Sequence, residues 1–89
     1  MKRYIKGRIH TITLGHGTEK AFYVDVDDGR WGAERNTHLW IPRSVCIIDA
    51  PNENGWSEIS IPLWVFSRAR IDVNRVGDII EKRVVVQDA

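Results

Sequence analysis

Eighty-nine residues, 43% apolar and 28% charged, can fill one small core with nothing left for a second, so a single domain is expected over 1–89. A formal net charge of +1 excludes strong global steering towards nucleic acid, and no apolar run reaches the roughly 18 residues that a membrane-spanning helix requires. The lone cysteine, Cys46, excludes an internal disulfide framework. Set in Val45-Cys46-Ile47-Ile48, it reads as a buried, inert thiol in a protein of the reducing cytoplasm.

The opening, Met1 to Lys6, becomes charged again before any apolar stretch develops, which argues against a signal peptide. Residues 4–14 read as a strand, with Ile5, Gly7 and Ile9 on one side and Tyr4, Lys6, Arg8 and His10 on the other. Ile12 and Leu14 share parity with the basic side, so a bulge or bend near His10 and Thr11 is expected to return them to the core. Gly15 to Thr18 form a turn. Residues 21–27 give the cleanest alternation, Phe22, Val24 and Val26 against Tyr23, Asp25 and Asp27, before a turn at Asp28-Gly29.

Residues 31–36 form a polar loop carrying Trp31. Short strands at 37–41 and 44–49 flank a corner at Pro42, which has no N–H for a ladder. Residues 50–55 are loop, and 58–61 a strand with Ile59 and Ile61 inward. Pro62 then starts a short helix near residues 63–70. A final strand covers 79–86, its two apolar ends separated by Glu81-Lys82-Arg83. Five or six short strands with turn signals about every ten residues predict a mainly β fold, a small partly open β-barrel capped by the helix.

Metal binding finds little support. His10, His16 and His38 lack ligand spacing, and Asp25-Val26-Asp27-Asp28-Gly29 lacks the later ligands of a calcium loop. Neither Ser44 nor Cys46 sits in a nucleophile motif, and Gly15-His16-Gly17 is too short to cradle a phosphate, so neither an enzyme nor a cofactor is expected. Charge is uneven: 8 Lys/Arg against 5 Asp/Glu up to Ser44, then 5 against 7. The outward side of the first strand, Tyr4, Lys6, Arg8 and His10, joined by Arg43 and with Tyr23 or Trp31 stacking on a base, would suit single-stranded nucleic acid without sequence preference. The same residues also fit a solvated strand charged against edge-to-edge pairing. Alternatively, Trp31, Trp56, Trp64 and Phe66 would anchor a host protein or a second copy of the chain, making a homo-oligomer.

Trp40-Ile41-Pro42-Arg43-Ser44, followed by Ile59-Ser60-Ile61-Pro62-Leu63-Trp64 and preceded by Ala21 to Gly29, resembles a group of small phage-encoded β-rich proteins over roughly residues 21–70. In that group a Trp-(Ile/Leu)-Pro-(Lys/Arg)-Ser strand end precedes an Ile-x-(Ile/Val)-Pro-x-Trp helix start. The resemblance implies a phage or prophage protein in the cytoplasm of a bacterial host, encoded near replication and recombination functions. Residues 71–89 have no counterpart in the group.

Overall fold

Alternation carries the first strand as expected: in β1 (Arg3–His10), Ile5, Gly7 and Ile9 are buried while Tyr4, Lys6, Arg8 and His10 stay accessible. A computed structural model describes residues 2–27 and 37–87, with 83–86 described by backbone alone. The strand stops at His10 instead of bending onward. The backbone N–H of Ile12 donates to Nδ1 of His10 (3.1 Å), and this cap starts a single helical turn, α1 (Thr11–Leu14). Leu14 packs against the core, but Ile12 is 68% exposed, so the expected return of both to the interior holds for one alone.

Two antiparallel strands follow, β2 (Ala21–Val26) and β3 (Thr37–Pro42), pairing Phe22 with Ile41, Tyr23 with Trp40 and Asp25 with His38. A 3-10 turn over Arg43–Val45 replaces most of the strand expected after Pro42, leaving only the two-residue β4 (Ile47–Ile48). The fold is completed by β5 (Trp56–Pro62), α2 (Leu63–Ala69), a second 3-10 turn at Val73–Arg75 and β6 (Ile79–Gln87). Nζ of Lys82, in β6, donates to the carbonyls of Val73 and Val76 and so ties that turn to the strand.

The fold is mainly β, but no barrel closes among the described residues. Strands β4-β5-β1-β6 form one open sheet and β2-β3 another. Closure needs a ladder running unbroken from edge to edge. Here the free side of β2 is taken by local segments: Tyr23 N–H donates to the His16 carbonyl (3.4 Å) and Asp27 N–H to the Arg75 carbonyl (2.9 Å). At the other end, a two-residue β4 is too short to bridge the sheets. Pro42 and Pro62 each end a strand, as expected, but they belong to different sheets.

The two sheets and α2 share one core, with Ile5, Ile9, Phe22, Val24, Leu39, Ile41, Ile59, Ile61, Val65, Phe66 and Ile79 all buried. Gly7 sits where β6 crosses β1 closely, since a Cβ there would meet Cγ2 of Ile79 at 2.6 Å. Gly17, at φ +118, lies under Trp40: a Cβ would come within 2.5 Å of the Ala21 carbonyl oxygen and 3.2 Å of the indole. The tight turn before β2 therefore supports the position of Trp40.

Candidate nucleic-acid interface

The outer face of β1 does gather Tyr4, Lys6, Arg8 and His10, but it gathers carboxylates as well. Arg8 forms an ion pair with Glu81 and lies opposite Glu58 of β5. Glu81 reaches Arg8 because β6 is irregular there: its register shifts against β1, and Glu81 takes a left-handed φ of 53°. Lys6 shares one groove with Glu58 and Glu81, and another with Tyr4, Asp49 and Glu58. The Arg8–Glu81 pair, with Glu58 opposite, offsets part of the positive charge this face presents to a phosphate chain.

His10 at the end of this face is fully engaged. With Nδ1 accepting from Ile12, the ring proton sits on Nε2, which donates to the Asn54 carbonyl (3.2 Å). Its ring meets Trp56 edge-on at 4.9 Å, and Trp56 is half-buried by that contact. Both residues thus hold the β1–β5 end together. Trp31 lies outside the described residues.

Tyr23 and Arg43 do not join the β1 face; Tyr23 lies in the second sheet and Arg43 opens the 3-10 turn that follows it. On its outer side, Tyr23 is flanked by two imidazoles, His16 at 5.3 Å and 20° and His38 at 4.6 Å and 24°. Both faces of the phenol are thereby covered, one from each flank of β2, and it supports its neighbours instead of offering a stacking surface. Nε2 of His38 in turn lies 2.9 Å from Oδ1 of Asp25. Arg43 is also committed: its Nε donates to the Thr18 carbonyl (3.0 Å) and its guanidinium lies 5.4 Å from the Phe22 ring centre.

Two rings do stand open. Trp40, directly across from Tyr23 and tilted 58° to it at 5.2 Å, is 51% exposed, and Trp64 on α2 is 43% exposed. They border one groove of about 300 Å³, floored by Leu39, Pro42, Val65 and Ala69. The Arg68 guanidinium lies 4.9 Å from the Trp64 ring centre, one helical turn along. A second hollow on the far side of Trp64 is lined by Lys2, Arg3, Leu63 and Ser67. Three cations therefore surround Trp64, and among the described residues no carboxylate lines either hollow.

Of the aromatic residues expected to contact a partner, Trp64 is exposed and Phe66 is not. Phe66 is 2% exposed, because from Leu63 to Phe66 the helix turns Val65 and Phe66 into the core and leaves Trp64 outside. Trp40, Lys2, Arg3 and Arg68 join Trp64 around these hollows, none of them singled out by the sequence pattern as a contact residue. The signal for Trp40 was present: Leu39 and Ile41 point inward, so the residue between them must point out.

The Cys46 thiol is not activated. It contacts the Pro42 carbonyl (3.5 Å), and burial pushes it up to about 12. Among the described residues no three His, Cys, Asp or Glu side chains are placed to hold a metal ion, and no helix is long and apolar enough to cross a membrane. No protein-family model, curated protein or solved structure matches the chain.

Proposed function

We propose that this is a non-enzymatic nucleic-acid-binding protein of phage or prophage type, taking single strands across the Trp40–Trp64 groove. One observation carries the reading: two half-open indoles share a groove with Arg68, beside Lys2 and Arg3, with no carboxylate among the described residues that line the two hollows. Rings offer stacking to any unpaired base, and cations track the phosphates on either side. Single strands fit better than duplex because an unpaired base exposes the face an indole needs. The β1 face, with its matched charges, has a lesser role in this reading than its sequence alone suggests.

Fluorescence anisotropy of a short labelled single-stranded oligonucleotide tests the proposal. Binding at low salt should weaken as salt rises, with a log–log slope of about −2 if the three cations each neutralise one phosphate. Binding no tighter than millimolar, or insensitive to salt, would overturn it. Salt-insensitive capture of a host protein through Trp64 would favour the rival reading, in which the indoles anchor a protein partner.

A further inference from the structure

We infer that the Asn54–Gly55 peptide is a site of spontaneous covalent modification, where the Asn54 carboxamide closes onto the Gly55 nitrogen and loses ammonia. The inference is independent of the Trp40–Trp64 groove and of what it binds. Of the four asparagines in the chain, Asn54 alone precedes a glycine. A Cβ on the following residue crowds the approach of its nitrogen to the carboxamide carbon, and glycine has none.

The loop before β5 treats its two asparagines differently. It is a tight hairpin turn: Gly55 N–H donates to the Asn52 carbonyl (3.0 Å) and Asn52 N–H to the Trp56 carbonyl (2.9 Å). Gly55, at φ 84°, takes the left-handed position that such a turn requires. Both asparagines are exposed. The Asn52 carboxamide is held, its Oδ1 accepting from the N–H groups of Asn54 (2.9 Å) and Trp56 (3.0 Å). Among the described residues no hydrogen bond holds the Asn54 carboxamide; its bonds are to the backbone alone. It can therefore rotate towards Gly55, and what must open is the bond from Gly55 N–H to Asn52. Exposed turns of this kind open locally at small cost.

The chemistry needs only water. The Gly55 nitrogen attacks Cγ of Asn54 as its proton leaves; the new N–Cγ bond forms, the Cγ–Nδ2 bond breaks, and the amino group departs with that proton as ammonia. Water then opens the cyclic imide. Attack at the former side-chain carbon gives an aspartyl residue. Attack at the other carbonyl gives an isoaspartyl residue, whose chain runs through Cβ and Cγ and whose former main-chain carbonyl becomes a free carboxylate.

The fold gives the second product a structural effect. The Asn54 carbonyl accepts from Nε2 of His10 (3.2 Å), and the Gly55 carbonyl accepts from both N–H and Oγ1 of Thr11 (2.8 Å each). The isoaspartyl form turns the first acceptor into a carboxylate and displaces Gly55 by one carbon along the chain. The bonds that tie this loop to the end of β1 then lose their register.

The test ages the folded protein at mildly alkaline pH, with the denatured chain in urea as reference, and maps peptides by mass spectrometry. An isoaspartyl-specific methyltransferase marks the second product. In the folded protein, modification should concentrate at Asn54, exceed that at Asn52 in the same loop, and quicken as pH rises, because the attacking nitrogen must lose its proton. The isoaspartyl fraction should show faster hydrogen exchange at the Thr11 amide. Asn54→Gln, whose longer side chain closes an imide far more slowly, should abolish the product, and circular dichroism confirms that it folds. Folded protein that stays intact at Asn54 while the denatured chain is modified there would overturn the inference, because the turn would then protect the site. Equal modification of Asn52 and Asn54 would overturn it too, and unchanged Thr11 exchange in the isoaspartyl fraction would overturn the effect assigned to that product.

Discussion

Replacing Trp40 by alanine separates the surface role of this indole from any role in the fold. Stacking of a base on an aromatic ring contributes about 1–3 kcal/mol by alanine substitution, which corresponds to roughly 5- to 150-fold in Kd. The structural cost should be small. Trp40 is 51% exposed and its main ring contact is Tyr23, tilted at 5.2 Å, a pair contributing about 0.5–1.5 kcal/mol. A chain of 89 residues has a stability of about 4–13 kcal/mol, so the variant should remain folded with a melting temperature lower by about 4–8 °C for each kcal/mol lost. Anisotropy with a single-stranded oligonucleotide and a thermal melt followed by circular dichroism read the two effects separately. Because Trp40 and Trp64 border one groove, the Trp40→Ala and Trp64→Ala losses should also combine non-additively. A folded Trp40→Ala protein that binds within twofold of the parent would refute the placement of the base.

Other outcomes follow from the same geometry. Arg68→Ala should lower the salt slope by about 0.7 and weaken binding to all sequences alike, whereas Lys6→Ala, on the β1 face beside Glu58 and Glu81, should leave the slope unchanged; salt titrations of the two variants decide between the faces. Phe66→Ala, which opens a cavity at a 2% exposed site, should cost about 3–5 kcal/mol in denaturant unfolding, far more than Trp64→Ala next to it. Comparable losses for the two would mean that the helix is turned differently. Cys46 should resist thiol reagents in the folded protein at mildly alkaline pH and react at once in denaturant, because only the thiolate attacks. The sign of the linked pH effect is set by burial: with the folded thiol at about 12 against an ordinary 9.0, the unfolded chain loses its proton first. Stability should therefore be unaffected by Cys46 below pH 9 and fall as pH rises above it, an alkaline decline that Cys46→Ala removes. An unchanged decline in that variant would show another group responsible.

Local periodicity made much of this fold legible. The alternations in β1 and β2 put the right residues inside, and Pro62 marked the boundary between β5 and α2 to the residue. What remained hidden depended on contacts between distant segments. Nothing in residues 21–42 reveals that His16 and Arg75 take up the free side of β2, and that contact decides two open sheets over a barrel. The end of β1 was equally obscure, because His10 could extend the strand or cap a turn, and the cap won. At the site, the grouping of Tyr4, Lys6, Arg8 and His10 was readable from alternation alone, but the pairing of Arg8 with an acid was not. That required Glu81, more than seventy residues away, to be turned towards Arg8 by an irregular strand. Four successive apolar residues at the start of α2 could not show which of them faced water, so Phe66 was assigned to the surface along with Trp64. Trp40 belongs to a corner motif, yet its place between inward-facing Leu39 and Ile41 is enough to turn it outward.

The most direct measurement is a chemical-shift map of the isotope-labelled protein titrated with a single-stranded oligonucleotide. The account predicts that the indole Nε1–H signals of Trp40 and Trp64 and the amides of β3 and α2 move together and saturate. Lys6, Arg8 and Glu58 should stay still. Movement confined to the outer face of β1, with both indole signals unchanged, would contradict it.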